Sequence, residues 1–289
     1  MDLGKTGVWY FFDGASSQDA AVAAKKIEEL GYGTLWLPET VGKNPLVLAS
    51  WLLANTESLN LATGIVNIYH REPGVTMAGQ YSLAEQSGGR FLLGMGVSHK
   101  PLVEGVRGLD YGPPVATMRT YLERMQAAPY TGCQPAEKPL TVIAALGPKM
   151  LELAASACAG AHPYFSSPEH TRFARETMGE GPLLCVEQKV ILESDPAKAR
   201  EVAKPVAQIY NGLPNYRNNW LRMGLTEADI NDLSDKFIDT TFAWGSAEAI
   251  QDRIQQHLDA GADHVCIQPV NTNGVFGDLD WEALEALSS

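Results

Sequence analysis

Short apolar runs alternate with amphipathic stretches along the chain, giving eight candidate strands, seven of them followed fairly directly by a helical pattern. The runs predict strands at Gly7–Phe12, Thr34–Leu37, Leu59–Val66, Phe91–Gly94, Leu140–Leu146, Ala161–Phe165, Leu183–Leu192 and His264–Val270. Several are apolar throughout, as strands covered on both faces are. The first helix shows the repeating unit: Ser16-Ser17-Gln18-Asp19 brings a cap and an acid, Ile27 and Leu30 share a face, and Gly31 stops it. Strand two then starts at once, and Ser246 through Gly261 repeats the unit before the last strand. Strands alternating with helices predict an α/β fold, a (β/α)8 TIM barrel. No linker rich in Pro, Gly or Ser splits the chain, so residues 1–289 are expected to form a single domain.

About 70 residues separate the seventh and eighth strands, too many for one helix, and Pro205, Pro214 and Gly224 punctuate them. Extra helices are predicted there, near Asp195–Tyr210, Asn215–Met223 and Thr226–Phe237, either as a lid over the barrel or as an outer layer. The run Pro45–Ala54 and the Met118, Leu122, Met125 stripe have the spacing of packing residues.

Composition narrows the function. The chain has a net charge of -12, which repels nucleic acid at long range, so any anion must be held locally by backbone amides or single basic side chains. No run approaches the ~18 apolar residues of a membrane span, and Met1-Asp2-Leu3-Gly4-Lys5-Thr6 has no signal-peptide core. A cytoplasmic location and no membrane partner are the expectation. Four cysteines lie scattered without a Cys-x-x-Cys pair, and read as small buried apolar residues.

In such a barrel the chemistry sits at the carboxyl ends of the strands. Those ends hold Glu39 after strand two, His70 and Arg71 after strand three, and Val97, Ser98 and His99 after strand four. Ala144-Ala145-Leu146-Gly147-Pro148-Lys149 closes strand five, and His162 and Tyr164 fall in strand six. Three histidines at strand ends invite a metal, yet neither a His-x-His pair near strand one nor His-Glu-x-x-His is present, so no metal is expected. Gly94-Met95-Gly96 follows a strand but lacks the third glycine and the helix of a dinucleotide fingerprint. Gly147-Pro148-Lys149 suits either a phosphate at a helix N-terminus or an ordinary strand-to-helix turn.

Taken together, Thr63-Gly64-Ile65-Val66, Arg90 through His99, Ala144 through Pro148, Gly160 through Tyr164 and Asn215 through Trp220 resemble the bacterial luciferase-like monooxygenase superfamily. Within it, the chain looks most like the actinobacterial branch of probable F420-dependent oxidoreductases, over Gly7 to Val270. The resemblance implies a deazaflavin, coenzyme F420, with its ring at the barrel mouth and its phosphate near Gly147, and FMN as the alternative cofactor. It implies a non-proline cis peptide between Gly64 and Ile65. His99 takes the position of a catalytic polar residue and Glu39 that of a residue near the ring, and on this resemblance both are expected to be catalytic.

Cofactor contacts are expected from Gly64, Ile65, Val97, Ser98, Ala144, Ala145, Leu146, Gly147, Pro148 and Lys149. A small-molecule substrate is expected against His70, Arg71, His162, Tyr164, Asn215 and Trp220. The sugar-phosphate dehydrogenases of the superfamily carry an acid after strand four, where this chain has His99, which puts that substrate in doubt. The competing readings are an FMN-dependent monooxygenase and a non-catalytic flavin-binding barrel. A homodimer is expected by analogy.

Overall fold

The computed structural model describes residues 1–271 and 279–288. Among the described residues ten strands are formed: β1 (Thr6–Trp9), β2 (Thr34–Leu37), β3 (Asn60–Thr63), β4 (Val66–Asn67), β5 (Phe91–Gly96), β6 (Thr141–Ile143), β7 (Gly160–Ala161), β8 (Leu183–Ile191), β9 (Phe242–Trp244) and β10 (His264–Pro269). All pairings are parallel, and β10 bonds both β8 and β1, so the sheet closes on itself into the eight-stranded barrel read from the sequence. Helices cover its outside, and Ser16, Asn44, Glu72 and Ser167 cap four of them through their side chains.

Two strand predictions need correction. The third run is not one strand: Leu61 pairs with Phe91, an offset of 30 residues, whereas Val66 pairs with Met95, an offset of 29. One extra residue therefore bulges between β3 and β4, where the Gly64–Ile65 peptide is cis. Of the sixth run, Ala161–Phe165, only Ala161 pairs, together with Gly160 just before it, and Phe165 leaves the strand region with a φ of 57°.

The excursion before the last strand contains helices Pro196–Asn211, Pro214–Arg222, Glu227–Asn231 and Asp235–Thr241, then the unpredicted β9. Lys189 and Val190 of β8 pair with β10 and with β9, so these two flank opposite edges of β8. The excursion has its own core of Phe165, Trp220, Phe237 and Phe242. Inside the barrel, Trp36 packs with Ala62, Leu92, Val142, Cys185 and Cys266, the last two being buried fillers as expected. Cys133 and Cys158 depart from that expectation, the first being exposed and the second only partly buried. Among the described residues no helix is long and apolar enough to cross a membrane.

Candidate active site at the barrel mouth

Residues at the carboxyl ends of β1, β2, β3, β5, β6 and β7 surround one cavity of about 550 Å³, a size common for small-molecule sites. Its floor is aromatic. Trp9 Nε1 donates to the Gly64 carbonyl at 2.8 Å, and its ring lies 4.7 Å from Phe11 and 5.1 Å from Tyr164. His162 stacks on Trp36 at 4.4 Å. Its Nδ1 donates to the Cys185 carbonyl at 2.8 Å, which leaves Nε2 with a lone pair and no partner. Burial pulls this imidazole down to about 4, against the Cys185 bond, so it is neutral at pH 7.

The wall beside the bulge is built for close approach. A Cβ on Gly96 would stand 2.7 Å from Ile65 Cδ1, so glycine lets the Ile65 side chain lie against β5. Ser98 then turns the chain with φ 56°, which carries His99 into the cavity lining. His99 lies 5.4 Å from the Tyr216 ring; burial lowers its pKa below the ordinary value while a hydrogen bond with Asn215 opposes that shift.

At the end of β6, the helix Pro148–Ala157 begins at Gly147 with no side-chain cap; Pro148 has no N–H and the Met150 N–H donates to the Gly147 carbonyl at 3.1 Å, so in the first turn the Lys149 N–H keeps the open valence of a helix N-terminus. His170 Nε2 donates to the Leu146 carbonyl at 2.9 Å. Because a trans peptide is planar, that bond turns the Gly147 N–H the opposite way from the Leu146 oxygen. The Arg222 guanidinium reaches the same corner from the excursion: Nη1 donates to Asn219 Oδ1 at 3.0 Å, and Nη2 lies 3.7 Å from where a Cβ on Gly147 would stand.

Of the residues singled out in the sequence, Glu39, Gly64, Ile65, Val97, Ser98, His99, His162, Tyr164, Asn215 and the whole run Ala144–Lys149 line this cavity. Three do not. Trp220 is fully buried in the excursion core, with its Nε1 donating to the Phe165 carbonyl at 3.3 Å. His70 and Arg71 turn instead to Glu39. Arg71 binds both Glu39 oxygens, one at 2.8 Å, and His70 Nδ1 stands 3.3 Å from Oε2. Burial alone would push the Glu39 carboxyl up, yet Arg71, the Asn67 amide and His70 together hold it below its ordinary value.

The lining also includes residues the sequence did not disclose: Trp9 and Phe11 from β1 and its end, Leu102, Tyr111 and Val115 from the segment after His99, and Tyr210, Tyr216 and Arg222 from the excursion. Arg222 sits two residues beyond the Asn215–Trp220 motif, the one hint it offered. The three histidines at strand ends do not converge, having separate partners in Glu39, Asn215 and Cys185.

A closed parallel barrel with one aromatic-floored cavity at its carboxyl mouth defines a barrel of the small-molecule-binding class. The chain belongs to the luciferase-like monooxygenase family, whose model matches residues 6–264. A protein of Mycobacterium tuberculosis named as a coenzyme F420-dependent oxidoreductase is 27% identical over 256 residues, covering 73% of this chain and 74% of the relative. The coenzyme F420-dependent tetrahydromethanopterin reductase of Methanopyrus kandleri superposes with a TM-score of 0.72 at 18% identity, covering 100% of this chain and 98% of that one. The oxygenating constituent of 3,6-diketocamphane monooxygenase from Pseudomonas putida, solved with FMN, superposes with a TM-score of 0.73 at 15% identity, over 98% and 96%.

Proposed function

We propose that the protein is an F420-dependent oxidoreductase that moves a hydride between the deazaflavin and a small, uncharged organic molecule. The observation that carries the reading is the joint presence in one cavity of a glycine-backed wall at Ile65 and Gly96, a donor-rich corner at Gly147, and the neutral imidazole of His99. The M. tuberculosis and M. kandleri proteins, both named for F420, favour that cofactor over FMN.

The residues present fit such a group. Gly96, Val97, Ser98 and Ile65 would flank a planar ring, and the unpartnered Nε2 of His162 suits an N–H donor on a heterocycle. The amides at Gly147 and Lys149 and the Arg222 guanidinium would hold a phosphate, a local cationic corner in a chain of net charge -12. When bound, the deazaflavin supplies the carbon that gives or takes the hydride.

The rest falls to the chain. His99, kept neutral by burial, holds one proton to exchange with the substrate oxygen, and Asn215 fixes its ring. Phe11, Leu102, Tyr111 and Val115 offer apolar surface, which excludes water and disfavours a charged substrate.

Fluorescence titration of the purified protein with F420 and with FMN tests the reading. Saturable F420 binding, with FMN at least tenfold weaker, is the expected result; tight FMN binding without an F420 response would overturn it. Arg222→Ala is expected to weaken F420 binding by about tenfold or more through loss of a charged hydrogen bond, with little change in melting temperature because this side chain is exposed.

A further inference from the structure

Glu39 lines the cavity, but its donors and acceptors are spent on the backbone of the neighbouring strand. Its own N–H donates to the Ile65 carbonyl at 3.2 Å, on the far side of the Gly64–Ile65 peptide. Its Oε2 accepts from the Asn67 N–H at 2.7 Å, two residues further on. One residue of the β2 end thus grips the bulge and the strand that leaves it.

The carboxylate is in turn fixed from three directions. Arg71 chelates both oxygens, and its own carbonyl is tied down by the Tyr121 hydroxyl at 3.0 Å. His70 is oriented by Asn67, whose Nδ2 donates to His70 Nε2 at 3.0 Å, which leaves the proton on Nδ1 facing Glu39. The side chains of Glu39, Arg71 and His70 are 7%, 9% and 13% exposed, so the clamp sits in a medium where charged hydrogen bonds are strong and a lost partner is costly.

We infer that Glu39 is a positioning residue: with Arg71 and His70 it sets where the Ile65 face stands in the cavity, and it takes no part in proton transfer. The inference rests on the cofactor reading above and gives Glu39 a different duty from the one its place at a strand end suggests. The clamp also reaches the roof. Tyr69, inside the same short turn, stacks on Tyr111 at 5.6 Å and accepts from the Gly112 N–H at 2.9 Å, and Tyr111 lines the cavity.

The test compares Glu39→Gln, Arg71→Gln and the double variant by melting temperature, by Kd for F420 and FMN, and by the visible spectrum of the bound cofactor. Each single variant leaves a buried charge unpaired and is expected to raise Kd about tenfold and shift the bound spectrum. The double variant, a neutral amide pair, is expected to recover more than half of both losses. A fall in melting temperature with unchanged Kd and spectrum would reduce Glu39 to a stability element and overturn the inference. So would a double variant no better than the worse single, because the negative charge itself would then be needed. If the unsubstituted protein binds neither cofactor, the cofactor reading falls and takes this inference with it; normal binding by Glu39→Gln removes the inference alone.

Discussion

Lowering the pH from about 6.5 to about 4 is expected to remove on the order of 10 kcal/mol of stability and to unfold the protein within that window. Burial holds His162, His170 and His264 down to about 4 and His257 to about 3, from an ordinary value of 6.5. These four are therefore neutral in the folded chain where the unfolded chain has already bound protons. A group depressed on folding contributes fully above its unfolded pKa, and the contribution is lost as the pH falls toward the folded value.

At about 1.4 kcal/mol per unit, a shift of roughly 2.5 units is worth about 3 kcal/mol for each histidine, and four together match the whole stability of an ordinary domain. Each is locked in place: His257 between Thr171 and Gln188, His264 between Trp36 and Gly4, His162 on Cys185 and His170 on Leu146. Glu187 works in the opposite sense, since burial raises its carboxyl beside Lys189, but it is a single group. Urea unfolding at a series of pH values measures the slope. A steep rise in stability between pH 4.5 and 6.5, reduced by about one proton in His257→Gln, is the expected outcome; a flat profile would show that these rings exchange protons with water in the folded state.

The barrel was legible because most of its strands carry a short apolar run and several of the helices between them start at a capping side chain, signals local in sequence. β9 was not, because Phe242-Ala243-Trp244 follows a helix with no turn residue between, and three residues do not establish a period. The bulge at Gly64 was invisible to periodicity, since Leu59–Val66 reads as continuous, and only the family likeness pointed to it. At the site, most of the expected strand-end residues and Asn215 of the excursion line the cavity, but the other excursion residues there were not anticipated. Tyr210, Tyr216 and Arg222 reach the cavity only because about 70 residues fold back over the mouth, which no local pattern encodes. Arg71 and Trp220 were misplaced for a related reason: a basic side chain at a strand end looks like a ligand contact until the register reveals Glu39 opposite, 32 positions earlier.

Two glycines in β5, two residues apart, should respond to the same substitution in opposite ways. Gly94→Ala is expected to prevent folding: its Cβ would stand 1.9 Å from the Thr63 carbonyl oxygen, a backbone atom held because Thr63 Oγ1 bridges the Gly94 N–H and carbonyl at 2.8 Å each. Gly96→Ala meets instead the far end of a flexible side chain, Ile65 Cδ1 at 2.7 Å and Cγ1 at 2.9 Å, with Ala144 Cβ at 3.2 Å. Ile65 can give way, and the open space beside it is the cavity, so it turns inward. Such overpacking costs about 1–3 kcal/mol and leaves the barrel folded. The displaced side chain then occupies the volume a planar ring needs, and cofactor binding is expected to fall by a hundredfold or more. Circular dichroism and cofactor titration separate the two effects. A folded Gly96→Ala protein that binds its cofactor with unchanged Kd would mean that the ring lies away from Ile65, and the placing of the cofactor against the bulge would have to be abandoned.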